Sequence, residues 1–303
     1  MLLETPMIAT YAAVVATLLG LVMGSFLNCL AWRMTHGESV LHGRSHCTSC
    51  GHVLGPADLV PVLSWVFSRG RCRYCGERVS WRYPATEVLC AVMYLSIVLC
   101  YGPTLQAIEL IAFASVLLVL SLTDLDDYII PNATIVAAIL IRVAYLVAVG
   151  ATGGGNTLEL LRDAAIGGVV VAVPVLLLAL VMDHVLGRES LGGGDVKLLF
   201  VAGMYFGWRQ CLFLIVVACV LGLVFSLLGQ RGTPEPDDSA LQADAADAAD
   251  AADPANTHVT DGEPEPPANA HLIPFGPSIA AACWITMLVG ESVLRWYLGL
   301  FLL

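Results

Sequence analysis

Two Cys-x-x-Cys pairs are the first residues in this sequence whose types and spacing could do chemistry. The pairs are Cys47-Thr-Ser-Cys50 and Cys72-Arg-Tyr-Cys75, and a glycine directly follows each of them. Four thiolates from two such turns can form the closed tetrahedral site that structural zinc takes. The sequence therefore predicts one Zn²⁺ bound by Cys47, Cys50, Cys72 and Cys75. Disulfides among these cysteines are the alternative, and a reducing cytoplasm disfavours them.

Two aspartates at the ends of apolar runs are the second candidates for chemistry. Asp124 ends one run, and Asp195 opens a later one directly after Gly192, Gly193 and Gly194. Two neighbouring carboxyls can share a proton, so that one activates water while the other polarises a peptide carbonyl. The glycines would let the backbone come close to an extended substrate. The plainer alternative is that Asp195 caps a helix and Asp124 lies in a solvated loop.

The composition indicates which elements must position these residues. Of 303 residues, 58% are hydrophobic and only 13% are charged, which excludes a soluble enzyme. Apolar runs that cross or nearly cross a bilayer lie at 7–31, 84–101, 104–123, 130–149, 163–186, 195–208, 209–229 and 272–300. We expect an all-α polytopic membrane protein with about eight transmembrane helices and a small cytoplasmic zinc-binding insert after the first helix. The sixth run is short, so a tilt or kink could join it to the seventh.

These runs and the stretches between them divide the chain into five segments. We expect a first transmembrane helix (1–31), a cytoplasmic four-cysteine zinc domain (32–83), a transmembrane catalytic core (84–229), a disordered acidic cytoplasmic loop (230–271) and a last transmembrane helix (272–303). Residues 231–270 hold ten acids against one base. They contain too few large apolar residues to offset the entropy cost of ordering.

The distribution of arginines predicts the orientation in the membrane. Seven arginines follow the first run: Arg33, Arg44, Arg69, Arg71, Arg73, Arg78 and Arg82. Loops rich in arginine stay in the cytoplasm, so the amino terminus should lie outside and the cysteine insert inside. The number of crossings then places Asp124 and Asp195 on the cytoplasmic side as well.

Several motifs resemble the type IV prepilin peptidases, the leader peptidases and N-methyltransferases of bacterial pilus and type II secretion systems. Gly24-Ser-Phe-Leu-Asn28 with Arg33 resembles the amino-terminal signature of that family. The stretch from Arg44 through Arg82-Tyr-Pro-Ala-Thr-Glu87 resembles its cysteine domain. Two stretches resemble its catalytic motifs: Asp124 with Ile130-Pro131-Asn132, and Gly192-Gly-Gly-Asp195 with Lys197. Asn132 and Thr35 depart from the pattern, because many members carry aspartate and proline there.

The resemblance implies a membrane aspartyl protease of the Gly-x-Gly-Asp type with Asp124 and Asp195 as its catalytic residues. It also implies prepilin or pseudopilin substrates, which are cut after a glycine at the cytoplasmic end of their hydrophobic helix. The new amino terminus would then be methylated from S-adenosylmethionine. The sequence has no glycine-rich Rossmann loop for that donor, so the methylation rests on the resemblance alone.

The same resemblance implies a multi-pass protein of the bacterial inner membrane, in contact with lipids and with no nucleic-acid partner.

A different class of protein remains as the alternative. A membrane transporter or assembly scaffold could use the two aspartates to relay protons or cations. Transport favours acids near the middle of the bilayer, whereas these aspartates stand at the ends of apolar runs.

Overall fold

The computed structural model describes residues 6–40, 43–187, 191–230 and 275–301. In these ranges eight α-helices make up most of the chain, and strand pairing is limited to two isolated bridges. The helices are α1 (Pro6–Thr35), α2 (Leu63–Phe67), α3 (Arg82–Tyr101), α4 (Leu105–Asp127), α5 (Asn132–Ala151), α6 (Thr157–Leu186), α7 (Gly193–Gln230) and α8 (Gly276–Phe301). A short 3-10 turn, Pro56–Asp58, precedes α2.

Seven of the described helices, all except α2, are long and apolar enough to cross a membrane. The expected all-α membrane architecture with an insert after the first helix is confirmed, and the chain is a multi-pass membrane protein. The predicted sixth and seventh runs both lie in α7. This helix is interrupted at Gly207, whose φ of 68° and ψ of 169° are not helical. The boundary between the two predicted runs therefore falls within two residues of a break in the helix.

The contacts group the chain into two compact units. One comprises Met1–Leu221 with Pro274–Leu303, and the other is Gly222–Ile273. Of the second unit, the described ranges include only the end of α7. Apart from Gln230, which ends α7, the predicted acidic loop (230–271) lies outside the described residues.

Helix α4 lies at the centre of the first unit and contacts α1, α3, α5 and α8. The Thr104 side chain caps its start by accepting a hydrogen bond from the Ala107 N–H at 3.1 Å. Phe113, Leu117 and other apolar side chains along the helix are almost fully buried. The helix ends at Asp127 and is followed by Tyr128, which is left-handed with a φ of 56°. As a result, the last turn of the most buried helix carries Asp124.

Helices α1 and α3 pack together through two glycines of α1. A Cβ atom on Gly20 would lie 2.5 Å from the Cα of Ala91, and one on Gly24 would lie 2.7 Å from the Cα of Glu87. Small residues one helical turn apart allow this close approach of two backbones. The two helices that flank the cysteine insert are therefore in direct contact, and they hold its two ends side by side.

A second glycine contact joins α6 to the first part of α7. A Cβ atom on Gly167 or on Gly203 would lie 2.6 Å from the carbonyl oxygen of the other residue. Nearby, the Arg142 side chain of α5 donates a hydrogen bond from Nε to the Met204 carbonyl at 3.0 Å. The break at Gly207 interrupts the regular bonding of that last turn, and Arg142 supplies a donor there.

Arg142 also forms an ion pair inside the helix bundle. Its Nη1 lies 2.9 Å from the Oε1 of Glu109, whose side chain is only 2% exposed. The guanidinium carbon lies 5.1 Å from the centre of the Tyr205 ring. A buried charge requires such a partner, so this group of side chains ties α4, α5 and α7 together.

Candidate active site and metal centre

Asp124 is buried at the end of α4 and faces the start of α8. Asp124 is 5% exposed, and its Oδ2 accepts a hydrogen bond from the Gly276 N–H at 3.0 Å. A Cβ atom on Gly276 would lie 2.6 Å from the same oxygen, so this position has no room for a side chain. Gly276 is not among the site residues predicted from the sequence. Its signal is the Pro-Phe-Gly-Pro stretch at the start of the last apolar run.

Asp195 is the third residue of α7 and is 9% exposed. It lies inside the first helical turn, where its N–H donates to the Gly192 carbonyl at 3.0 Å. It therefore does not occupy the position directly before the helix that a capping residue takes. The described residues provide its carboxyl group with no hydrogen-bond partner.

The two aspartates lie near each other. The start of α7 packs against the chain that directly follows Asp124, since Gly194 contacts Ile130 and the Lys197 side chain binds Asn132. The chain thus brings together two buried carboxyls from the end of α4 and the start of α7, although 71 positions separate them in the sequence.

The three glycines before Asp195 have different surroundings. A Cβ atom on Gly193 would meet no atom within 4 Å, whereas one on Gly194 would lie 2.9 Å from the Cβ of Ile130. On Gly192 it would lie 3.4 Å from the Oδ2 of Asp195. Gly194 thus allows α7 to pack against the loop after α4, and Gly193 is the glycine that leaves space on its outer side.

A hydrogen bond joins the two motifs that carry the aspartates. The Lys197 Nζ donates to the Oδ1 of Asn132 at 2.9 Å. Asn132 is the first residue of α5 and stands where many relatives of the resembled family carry aspartate. Its amide oxygen serves here as the acceptor for the lysine.

The neighbouring acids Asp126 and Asp127 have different surroundings from Asp124. Arg82 donates from Nη2 to the Oδ2 of Asp126 at 3.0 Å, and its Nη1 binds the other carboxylate oxygen. Arg82 also donates to the Leu122 carbonyl at 3.2 Å. Asp127 is exposed. Of the three acids in this stretch, only Asp124 is buried beside Asp195.

The four predicted metal-binding cysteines form one cluster. The Sγ atoms of Cys47, Cys50, Cys72 and Cys75 all lie within 4.8 Å of one another, and those of Cys47 and Cys75 are 3.9 Å apart. In a tetrahedral zinc site with Zn–S bonds of about 2.3 Å, the sulfurs are about 3.8 Å apart. The number, type and spacing of these donors therefore fit a metal ion.

Two turns with the same hydrogen bonds present the cysteines. In one, the Gly51 N–H donates to the Cys47 carbonyl at 2.8 Å, and in the other the Gly76 N–H donates to the Cys72 carbonyl at 2.9 Å. The glycines have φ values of 70° and 76°. A Cβ atom at either would meet nothing within 4 Å, so these positions need glycine for its left-handed backbone rather than for its small size.

The thiols of Cys47 and Cys75 differ in acidity. Hydrogen bonds from the backbone of Cys50 and Ser49 lower the pKa of Cys47 to about 6. The Glu77 backbone lowers the pKa of Cys75, but desolvation and the other three thiols outweigh it and raise that pKa to about 12. The Cys47 thiol therefore ionises easily, whereas the neighbouring sulfurs oppose a negative charge on Cys75. A bound cation relieves this repulsion, because it takes the place of the thiol protons.

Polar contacts connect the helices at the base of the insert, the insert to α3, and two parts of the insert to each other. The Asn28 amide of α1 donates to the Thr86 hydroxyl of α3. Oε2 of Glu87 accepts a hydrogen bond from the Val62 N–H at 2.7 Å. The Trp65 indole donates to the Val79 carbonyl at 3.0 Å and so connects two parts of the insert. These contacts give the cysteine turns a fixed support.

Comparisons with known proteins agree with the arrangement of these sites along the chain. Residues 18–101, with the cysteine cluster, match the model of the Bacterial Peptidase A24 N-terminal domain. Residues 111–227, with both aspartates, match the model of the Type IV leader peptidase family. No solved structure matches the chain significantly.

Curated relatives match most of the chain. A prepilin leader peptidase/N-methyltransferase of Pseudomonas putida is 29% identical over 93% of this chain and 92% of its own length. A type 4 prepilin-like proteins leader peptide-processing enzyme of Escherichia coli is 31% identical over 73% of this chain and 86% of its own length. A prepilin leader peptidase/N-methyltransferase of Myxococcus xanthus is 33% identical over 71% of this chain, which spans only 62% of that relative. The chain therefore belongs to the type IV leader peptidase family.

Proposed function

We propose that this protein is a leader peptidase that cuts prepilins or pseudopilins with Asp124 and Asp195 as its catalytic pair. One observation carries the proposal: two buried carboxyls, at the end of α4 and the start of α7, lie at the same end of the helix bundle. The family membership supports the class of reaction, and the names of the curated relatives support the class of substrate. Cleavage would follow a glycine at the end of the substrate's apolar helix.

In the proposed cleavage, the two carboxyls share one proton. The ionised carboxyl takes a proton from water while the water oxygen bonds to the peptide carbonyl carbon. The protonated carboxyl gives its proton to the carbonyl oxygen, which leaves a tetrahedral diol. The C–N bond then breaks as the first carboxyl passes the water proton to the leaving nitrogen, and the second takes a proton back from a diol hydroxyl. The Gly276 N–H orients Asp124 for this step. The open side of Gly193 gives an extended peptide access to the backbone.

The second proposed activity is methylation of the amino group that cleavage releases. The free amine would attack the methyl carbon of S-adenosylmethionine, so that a C–N bond forms and a C–S bond breaks. The sulfonium becomes a neutral thioether, and the nitrogen gives up a proton. The names of the curated relatives, which include N-methyltransferase, support this activity.

The cysteine cluster would hold one Zn²⁺ through four thiolates and keep the insert folded. Such an insert has a small core, for which a structural metal compensates. We further propose that the insert and both aspartates face the bacterial cytoplasm, which the arginines of the insert support. A proton or cation transporter is the competing proposal. The position of both aspartates at helix ends favours the peptidase.

One assay with purified protein in detergent tests both activities, using a model prepilin and a labelled methyl donor. We expect Asp124→Asn and Asp195→Asn to abolish cleavage, because an amide can neither accept nor donate the shared proton. Both variants should still methylate a prepilin that has already been cut. Asp127→Asn is the matched control, since Asp127 is exposed near the same helix end. Substantial cleavage by Asp195→Asn would overturn the assignment of the catalytic pair.

A further inference from the structure

A cavity of about 430 Å³ lies between the cysteine insert and the adjoining parts of α1 and α3. Ser25, Asn28 and Trp32 line it from α1, and Tyr83 and Glu87 line it from α3. Both Cys-x-x-Cys turns contribute to the remaining wall. Cavities of this size accommodate small-molecule ligands and cofactors.

The cavity lies at the same end of the bundle as the two aspartates. Its wall includes Tyr83, the residue after Arg82. Arg82 binds Asp126, which is two residues beyond Asp124 on α4. A peptide end released beside Asp124 would therefore not need to cross the membrane to reach the cavity.

Glu87 is the residue in the wall that indicates a cationic ligand. It is 7% exposed and accepts the Val62 N–H, but no arginine, lysine or histidine of the described residues forms an ion pair with it. Asp58, also in the wall, is bound by Arg73 at 3.2 Å and by the Tyr74 hydroxyl at 3.0 Å. A buried carboxylate without a counter-ion is costly, so Glu87 suits a cationic group of a ligand.

Other groups in the wall suit the remaining parts of a charged nucleoside. Arg44, Arg71 and Arg78 line the cavity and can bind a carboxylate. Trp32 also lines it and offers an aromatic surface next to His36, whose ring is stacked on it with the centres 4.3 Å apart. The cavity thus combines a buried anion, several cations and an aromatic side chain.

We propose that this cavity binds S-adenosylmethionine, with Glu87 facing the cationic sulfonium and ammonium groups of the donor. The donor carries those two cations together with one carboxylate and an aromatic base, for which the wall offers Glu87, arginines and Trp32 respectively. This inference rests on the proposed methyl transfer. It assigns the donor to the cavity beneath the insert and Glu87 to the recognition of its charge.

The test measures binding of S-adenosylmethionine to the zinc-loaded full-length protein in detergent by calorimetry. Glu87→Gln keeps an oxygen that can accept the Val62 N–H but removes the charge. We expect it to weaken donor binding at least tenfold while prepilin cleavage stays near the wild-type rate. Asp163→Asn is the control, because Asp163 is exposed and pairs with its neighbour Arg162 outside the cavity. This variant should bind the donor normally.

Photocrosslinking of radiolabelled S-adenosylmethionine to the unmodified protein gives a second measurement that needs no variant. We expect the label on peptides that contain the wall of the cavity. If the wild-type protein methylates its substrate but Glu87→Gln binds the donor normally and the label lies elsewhere, the site is wrong and the proposed methylation stands. If the wild-type protein neither binds the donor nor methylates, the proposed methylation is overturned together with the site. If Glu87→Gln also loses cleavage, the position of the crosslink in the wild-type protein decides whether the cavity is the donor site: a label on its wall supports the site, and a label elsewhere overturns it.

Discussion

Arg82, the first residue of α3, binds both carboxylate oxygens of Asp126 on α4. This pair connects the end of the cysteine insert to the helix end that carries Asp124. Arg82 also donates a hydrogen bond to the carbonyl of Leu122, which lies one helical turn before Asp126 on α4. Asp126 therefore has a structural role as the partner of Arg82, whereas Asp124 is the proposed catalytic residue.

Replacing Asp126 should affect the position of this helix end rather than the chemistry. The side chains of Arg82 and Asp126 are 39% and 32% exposed, so the pair contributes roughly 1 kcal/mol or less to stability. We expect Asp126→Asn to reduce kcat/KM for prepilin cleavage less than about tenfold, since one tenfold step corresponds to about 1.4 kcal/mol. Kinetics with a model prepilin would measure it. An Asp126→Asn protein as inactive as Asp124→Asn would contradict this division of roles.

Gly276→Ala should damage cleavage although the residue carries no reactive group. The new methyl group would lie 2.6 Å from the Oδ2 of Asp124, so the carboxyl or the start of α8 must move. A displacement of about 1 Å in an active site costs on the order of 100-fold in rate. Gly299→Ala on the same helix is the control, because its Cβ would meet no atom within 4 Å. Equal kcat/KM values for the two variants would show that Gly276 does not position Asp124.

Metal removal should expose the four cysteines of the insert to alkylation. We expect one zinc per chain by elemental analysis. Mass spectrometry should find Cys47, Cys50, Cys72 and Cys75 modified by N-ethylmaleimide only after chelation, because metal-bound thiolates are shielded. Cys29→Ser is the control and should keep the zinc, since Cys29 lies outside the cluster. Protein prepared under reducing conditions without zinc, or with disulfides among the four, would contradict the metal site.

Breaking the buried pair of Glu109 and Arg142 should destabilise the helix bundle. Removal of one partner leaves the other as an uncompensated charge, which costs about 3–5 kcal/mol. We expect Glu109→Gln to lower the thermal unfolding temperature in detergent, as followed by tryptophan fluorescence. The double variant Glu109→Leu/Arg142→Met should recover part of the loss, because neither charge remains. A Glu109→Gln protein as stable as the wild type would mean that other groups hold Arg142.

The sequence predicted the features that depend on local patterns. The two Cys-x-x-Cys-Gly units specify their own turns, so the cysteine cluster was predictable from residue type and spacing. The apolar runs likewise predicted the long helices. Gly276 was not predicted because its importance arises from a contact with Asp124, 152 residues earlier. Such a pairing is set by how helices pack. The Pro-Phe-Gly-Pro stretch marks the start of the last helix, but it does not indicate which residue Gly276 contacts.

The glycines before Asp195 show the same limit at closer range. Their cluster indicated close approach of a backbone, but only the packed structure distinguishes Gly194, which contacts Ile130, from Gly193, which is open. The Asp126 partner could not be predicted either. Seven arginines follow the first apolar run, and their number gave an orientation without identifying which of them would meet α4.

The break at Gly207 divides α7 and leaves its first part, residues 193–206, shorter than each of the other long helices. Residues 193–206 extend roughly 20 Å at about 1.5 Å per residue, whereas the hydrocarbon layer of a bilayer is about 30 Å thick. Such hydrophobic mismatch is relieved when lipids next to a short helix thin the membrane. Thinning of the bilayer next to the start of α7 would bring the boundary between water and lipid closer to the carboxyls of Asp124 and Asp195. A substrate helix could then meet water at its end without leaving the lipid.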